Sequence, residues 1–223
     1  MHKFLKKITL AFTFVWGLAG AGMAEPLKLT VFGDSLVQGY GLAQGDGLVP
    51  QLQRWLAAQD VVVQVVNAGV SGDTSAGGAA RIDWALADHP DGVIVLLGGN
   101  DLLRGLPPQD TRANLSHIIE AAQGAGAEVM LVGMQAPLNY GAEYKAQFDA
   151  IYSDLAQRYG VLLHPLAFAG IMQEVGSDPA QFGAYMQDDN IHPNARGVAL
   201  NVAAMGPQLL DLLKRMQQAQ AQE

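Results

Sequence analysis

Five short, nearly unbroken apolar runs, at 29–32, 61–66, 93–97, 129–132 and more weakly 161–163, constrain the fold of this 223-residue chain more than any other feature. They are rich in Val, Ile and Leu and show little polar alternation. As strands they need cover on both faces, which a parallel sheet between two helical layers provides. The segments between and after them have the pattern of amphipathic helices, near 48–59, 76–87, 111–124, 142–159 and 193–218. With five right-handed crossovers these elements build an α/β domain of three layers, α/β/α, around a five-stranded parallel sheet. Ligands of such sheets bind outside the carboxyl ends of the strands, so the loops that follow the runs are where chemistry is expected.

The first of those loops is Gly33-Asp34-Ser35-Leu36, which sets a serine hydroxyl at the end of a buried strand, in a strand-to-helix turn that Gly33 and Gly39 allow to be tight. A serine hydroxyl is a poor nucleophile until a base takes its proton and an acid orients the base. The stretch Asp189-Asn190-Ile191-His192-Pro193 supplies both. His192 precedes a proline, which biases it toward an extended loop, and Pro193 is suited to open the last helix, where a missing N–H costs nothing. Asp188 competes with Asp189 as the orienting acid. Neighbours on an extended loop point opposite ways, so only one of the two can serve. Acyl transfer also needs donors aimed at the developing oxyanion. The loops Asn67-Ala68-Gly69-Val70-Ser71-Gly72-Asp73-Thr74 and Gly98-Gly99-Asn100-Asp101 place small residues where backbone must approach a ligand. The amides of Ser35 and Gly72 and the carboxamide of Asn100 are the candidate donors.

Other polar residues read as structural. His89 sits at a helix end before Pro90, His117 lies within a helix, and His164 follows the last strand with no acid near it in sequence. Asp34, Asp73 and Asp101 fall inside the loop blocks, but each lies in a strand-to-helix turn, where Asp commonly caps backbone N–H groups. They are therefore read as scaffolding rather than as metal ligands, and no metal or cofactor is expected. A Gly-x-Gly-x-x-Gly dinucleotide fingerprint and a phosphate-binding Gly-Lys-Ser/Thr are both missing after the first strand. So is the Gly-x-Ser-x-Gly elbow of conventional α/β-hydrolases, because Val37 stands two residues after Ser35.

The chain starts with Lys3, Lys6 and Lys7, an apolar stretch over 8–22, and small residues at Gly22 and Ala24. That is the layout of a secretory signal peptide cleaved after residue 24; about 15 apolar residues fall short of the ~20 that span a bilayer. Its removal leaves 199 residues, 25–216 forming one domain and the Gln/Ala-rich 217–223 a frayed tail. Losing three lysines takes the formal charge from −8 to −11. So acidic a chain, with no basic run, is a poor partner for nucleic acid or an anionic membrane surface. With no cysteine it has neither disulfides nor a thiol nucleophile. A monomeric protein of the periplasm or the exterior, without stable membrane insertion, is expected.

The blocks Gly33-Asp34-Ser35-Leu36, Ser71-Gly72-Asp73-Thr74-Ser75, Gly98 to Gly105 and Met186 to Asn194 together resemble those of the SGNH (GDSL) hydrolases, across almost the whole mature chain. They are most similar to the bacterial periplasmic branch of thioesterases, lysophospholipases and arylesterases. The resemblance implies a flavodoxin-like sheet and metal-independent hydrolysis of esters and thioesters. It implies a catalytic Ser35, His192 and Asp189, Asp189 being favoured over Asp188, with Ser35, Gly72 and Asn100 forming the oxyanion hole. Residues 134–140, with Met134, Pro137, Asn139 and Tyr140, resemble the family's mobile substrate loop. The stretch between Pro165 and Tyr185 departs most from the family; Phe168, Ile171, Met172, Phe182 and Met186, between the last strand and the histidine loop, either line an acyl groove or pack a short helix onto the sheet. The expected substrate is a small-molecule ester or acyl lipid. Deacetylation of sugars, peptide cleavage, or silent binding of lipid or glycan are the alternatives.

Overall fold

A computed structural model describes residues 26–176 and 178–222; the leader expected at 1–24 lies outside the described residues. The sheet is parallel throughout. Its strands are β1 (Leu27–Gly33), β2 (Val63–Gly69), β3 (Gly92–Leu96), β4 (Glu128–Val132) and β5 (Leu162–His164), in the order β2-β1-β3-β4-β5. Helices α1 (Ser35–Gln38) and α2 (Leu48–Ala57) follow β1, and α3 (Ser75–Leu86) follows β2. Helices α4 (Gly99–Leu103) and α5 (Pro108–Gly124) follow β3, and α6 (Ala142–Tyr159) follows β4. After β5 come α7 (Ala169–Val175) and α8 (Ala195–Gln220). Helices α3, α5 and α6 pack together as one layer, and α2, α8 and α7 as the other. Four crossovers join the five strands, one fewer than expected, because α8 follows the last strand and packs back onto β3, β4 and β5 instead of leading to a sixth.

The strands at the centre carry the core. Leu29, Val31, Phe32, Val93, Ile94, Val95, Met130 and Leu131 are all fully buried, as unbroken apolar runs require. Edge strand β2 is buried only at Val63 and Ala68 and lies further along the chain than its apolar run. Val62 is 82% exposed, and pairing with β1 continues to Gly33↔Gly69. The ladder, which the apolar pattern does not report, carries the strand through Asn67 and Ala68. Helix α8 starts at Ala195 rather than at Pro193. Asn194 is its N-cap, accepting from Arg196 N and Gly197 N at 3.1 Å each, while Pro193 forms an isolated antiparallel bridge with Met186. An asparagine cap outcompetes proline here because Pro193 is held outside the helix by that bridge. At its other end α8 continues through Gln217 to Gln220, past the point where composition places fraying. Among the described residues no helix is long and apolar enough to cross a membrane.

Strand order places β1 and β3 side by side where the chain reverses its direction of travel across the sheet, the position at which ligands bind in open α/β sheets. Ser35 follows β1 and Asn100 follows β3. The register Gly33↔Leu96 brings both loops to one rim. Gly33 is obligatory at that point, because a Cβ there would run into the Leu96 carbonyl and the Val37 side chain.

Candidate active site

Asp34 caps α1, accepting from Leu36 N at 3.0 Å, and Ser35 is the first residue of that single-turn helix. The turn leaves the Ser35 amide without an intrahelical acceptor and points the Ser35 hydroxyl at His192, 2.8 Å from Nε2. His192 Nδ1 lies 2.6 Å from Asp189 Oδ2. An ionised carboxylate only accepts, so the imidazole proton sits on Nδ1, leaving Nε2 to accept from the Ser35 hydroxyl.

The loop that carries the imidazole is closed by short-range bonds. Gln187 N donates to the His192 carbonyl at 2.8 Å, and Asn190 takes a positive φ of 55°, a conformation asparagine tolerates. Asp189 Oδ1 accepts from Ile191 N at 2.9 Å and His192 N at 3.0 Å. The donors of His192 N, the His192 ring and Ile191 N hold the Asp189 carboxyl down at about 2. Asp188 is exposed, and its neighbour alone meets the imidazole. Gln187 Nε2 donates to the carbonyls of Tyr40 and Pro193, tying this loop to the first one, and the Tyr40 ring lies 4.9 Å from that of His192.

Gly72 has φ +82°, which favours glycine, and its carbonyl accepts from Arg104 Nη2 at 2.8 Å. The next residue, Asp73, pairs with Arg81 Nε at 2.6 Å. Arg81 also donates to the carbonyls of Ala68 and Gly33 and lies 4.1 Å over the Phe32 ring, so one guanidinium clamps the ends of β1 and β2. Asn100 Nδ2 donates to Asp34 Oδ2 at 3.3 Å. Asp101 is buried and accepts from Ser75 N, the Ser75 hydroxyl and the Thr111 hydroxyl, joining α3, α4 and α5. The three loop aspartates are thus each spent on protein donors, Asp73 on a guanidinium rather than on the backbone expected. Among the described residues no three His, Asp or Glu side chains gather as a metal-binding group. Burial pushes the Asp34 carboxyl up to about 6, against the Leu36 and Asn100 bonds that favour its charge.

Two depressions meet at the Ser35–His192 pair. The larger, about 370 Å³, is walled by Leu102, Leu103, Met134, Pro137, Phe168 and Ile191; the smaller, about 30 Å³, reaches Tyr40 and Ala167. Of the residues assigned to substrate contact, Met134, Pro137 and Phe168 line the larger cleft. Asn139 does not, and Tyr140 instead donates its hydroxyl to the Leu103 carbonyl and packs on Tyr144. Met172 lies on an outward face of α7, 47% exposed and away from the cleft. Ile171 and Met186 are buried in a satellite cluster with Val175 and Tyr185, against which Phe182 packs, so this stretch mostly seats a short helix. Leu103 and Ile191 lie inside the sequence blocks, though without an assigned role there, and Tyr40 lies four residues past the first block. Arg81 carried no such signal, being an ordinary helix-surface cation by pattern. His164 is buried, with Nδ1 3.3 Å from Gln208 Oε1 and no hydrogen-bond partner for Nε2; burial holds its pKa below the usual histidine range.

A serine hydroxyl, an imidazole and a carboxylate in one hydrogen-bonded line, at the carboxyl ends of a parallel sheet, is the arrangement by which serine hydrolases are recognised. The model of the GDSL-like lipase/acylhydrolase family matches residues 31–200. Esterase TesA of Pseudomonas aeruginosa is 40% identical over 171 residues, 76% of this chain and 81% of that one. The thioesterase 1/protease 1/lysophospholipase L1 of Escherichia coli is 41% identical over 168 residues, 74% of this chain and 75% of that one. A crystal structure of TesA superposes with a TM-score of 0.73 at 38% identity, covering 83% of this chain and 99% of that one. The chain belongs to the GDSL-like lipase/acylhydrolase family and is an ester hydrolase of the SGNH type.

Proposed function

We propose that this protein is an exported, monomeric serine esterase that cleaves carboxylic esters, including acyl thioesters and lysophospholipids, through an acyl-enzyme. Ser35 attacks the carbonyl carbon as His192 Nε2 takes the hydroxyl proton. Asp189 holds the imidazole in the Nδ1–H tautomer and stabilises the imidazolium that forms. The oxyanion is met by the amides of Ser35 and Gly72 and by the Asn100 carboxamide. His192 returns its proton to the leaving group, and water then releases the acyl group by the same path. No metal or cofactor enters the scheme.

The observation that carries this reading is the unbroken line from Asp189 Oδ2 through the imidazole to the Ser35 hydroxyl, with contacts of 2.6 and 2.8 Å. The apolar walls contributed by Leu102, Leu103, Met134, Phe168 and Ile191 support an acyl chain as the recognised part. The names of the relatives support the ester, thioester and lysophospholipid classes. Export rests on the basic and apolar leader. A panel of acetyl, medium-chain and long-chain p-nitrophenyl esters, with an acyl thioester and a lysophospholipid, tests the reading on the purified protein. Turnover that favours medium or long chains supports it. Turnover confined to acetyl esters points to a deacetylase, and binding without turnover to a silent lipid-binding domain.

A further inference from the structure

Asp34 stands next to the nucleophile, yet the scheme above leaves it no task. Its side chain is enclosed. Asp34 is 2% exposed, with Oδ1 accepting from Leu36 N at 3.0 Å and Oδ2 from Asn100 Nδ2 at 3.3 Å. The backbone of α4 fits closely against it, since a Cβ on Gly99 would stand 3.3 Å from Oδ2. We infer that Asp34 is a positioning residue whose ionised carboxylate fixes the Asn100 carboxamide with its N–H end in the oxyanion site, an inference that rests on Asn100 serving as an oxyanion donor.

A carboxamide has a donor end and an acceptor end of nearly equal shape, and only its partners decide which way it faces. An ionised carboxylate accepts and cannot donate, so it tolerates only the NH₂ end of Asn100. One N–H is then spent on Asp34 and the other is left for the substrate. Protonated, Asp34 gains an O–H that can bond Asn100 Oδ1 equally well. The flipped carboxamide would set an oxygen against the developing oxyanion.

Several groups face this carboxyl. His192 from the histidine loop favours its charge, Asp101 on α4 opposes it, and the Tyr152 hydroxyl on α6, which donates to the Leu97 carbonyl, also senses it. Burial outweighs the favourable contacts and raises the Asp34 carboxyl to about 6.

Asp34→Asn tests the inference, because asparagine caps a helix as well as aspartate does but offers the Asn100 amide a carboxamide in place of an acceptor-only group. Against a p-nitrophenyl ester, kcat should fall ~10–10²-fold with KM little changed, as for the loss of a hydrogen bond to a charged group. Combined with Asn100→Ala, it should cost nothing beyond the Asn100→Ala loss. Losses that multiply in the double variant, or an unchanged kcat in Asp34→Asn, overturn the inference. If Asn100→Ala itself leaves kcat intact, the oxyanion reading fails first. Should Asp34→Asn not fold, wild-type enzyme decides through its pH profile. The acid limb of kcat/KM should be steeper than one proton allows, whereas a single-proton limb, set by His192 alone, contradicts a role for Asp34.

Discussion

Two aspartates flank the hydrogen-bonded Ser35–His192 pair in the sequence, Asp34 just before Ser35 and Asp189 three residues before His192, and their surroundings drive them in opposite directions. Asp34 is enclosed between β1 and α4, and burial lifts its carboxyl to about 6. Asp189 sits on an open loop with its side chain 34% exposed, where the donors of His192 N, the His192 ring and Ile191 N pull it down to about 2. Identical side chains are thereby suited to different tasks. Asp189 keeps its charge down to about pH 2, as the proposed stabilisation of an imidazolium requires, while Asp34 changes charge near pH 6. What separates them is the number of donors against the degree of enclosure, not the residue type.

The largest effect should come from the pair they flank. Ser35→Ala or His192→Ala should each lower kcat by ~10⁶ without altering the fold, measured by ester turnover alongside circular dichroism. Asp189→Asn keeps the shape but removes the charge and can favour the wrong tautomer, so a loss of ~10⁴ in kcat is expected. Its neighbour sharpens the contrast, since Asp188→Asn should stay within ~2-fold, as for an exposed site. Equal losses at 188 and 189 would break the distinction between them. Asn100→Ala should cost ~10²–10³ in kcat with little change in KM. A rise in KM alone would make Asn100 a ground-state contact.

Stability should separate the two aspartates by sign. The Asp34 pKa is raised on folding, so the folded state prefers the neutral form. That preference is fully present below the unfolded value of about 3.8 and is lost as pH rises through about 6. Asp34→Asn should therefore raise the melting temperature by ~6–12 °C at pH 8 and change it little at pH 3. The Asp189 pKa is lowered on folding. Its contribution is present above about 3.8 and fades as pH falls toward about 2. Asp189→Asn should lower the melting temperature at pH 8, and the deficit should shrink below pH 3. Thermal denaturation of both variants at the two pH values checks this; shifts of the same sign at pH 8 would refute the assignment of opposite environments.

The parallel sheet was legible because buried strands are continuous apolar runs, and the loops that matter were legible because they follow those runs. Edge strand β2 was placed early, since a half-exposed strand is defined by its ladder to β1 and not by hydrophobicity. The start of α8 was misread because Pro193 fits a first helical turn locally, whereas the bridge to Met186 is a tertiary fact. Among site residues, Ser35, Asp189 and His192 meet through short loops whose residue types announce them. The contact between Asp34 and Asn100 joins residues 66 apart, and the Arg81 clamp joins α3 to the ends of β1 and β2. No spacing rule reports either. Asn139 and Tyr140 follow from the resemblance to a substrate loop and Met172 from its place between the last strand and the histidine loop, and neither can tell which face of the 138–140 turn or of α7 looks into the cleft.

Whether His192 and Asp189 activate Ser35 is tested most directly by covalent capture. A fluorophosphonate requires an activated serine, and peptide mass spectrometry locates the adduct. One stoichiometric adduct on the peptide carrying Ser35, formed far more slowly in His192→Ala, is the predicted result. An adduct on Ser71 or Ser75, or labelling of Ser35 at the same rate without His192, would contradict it.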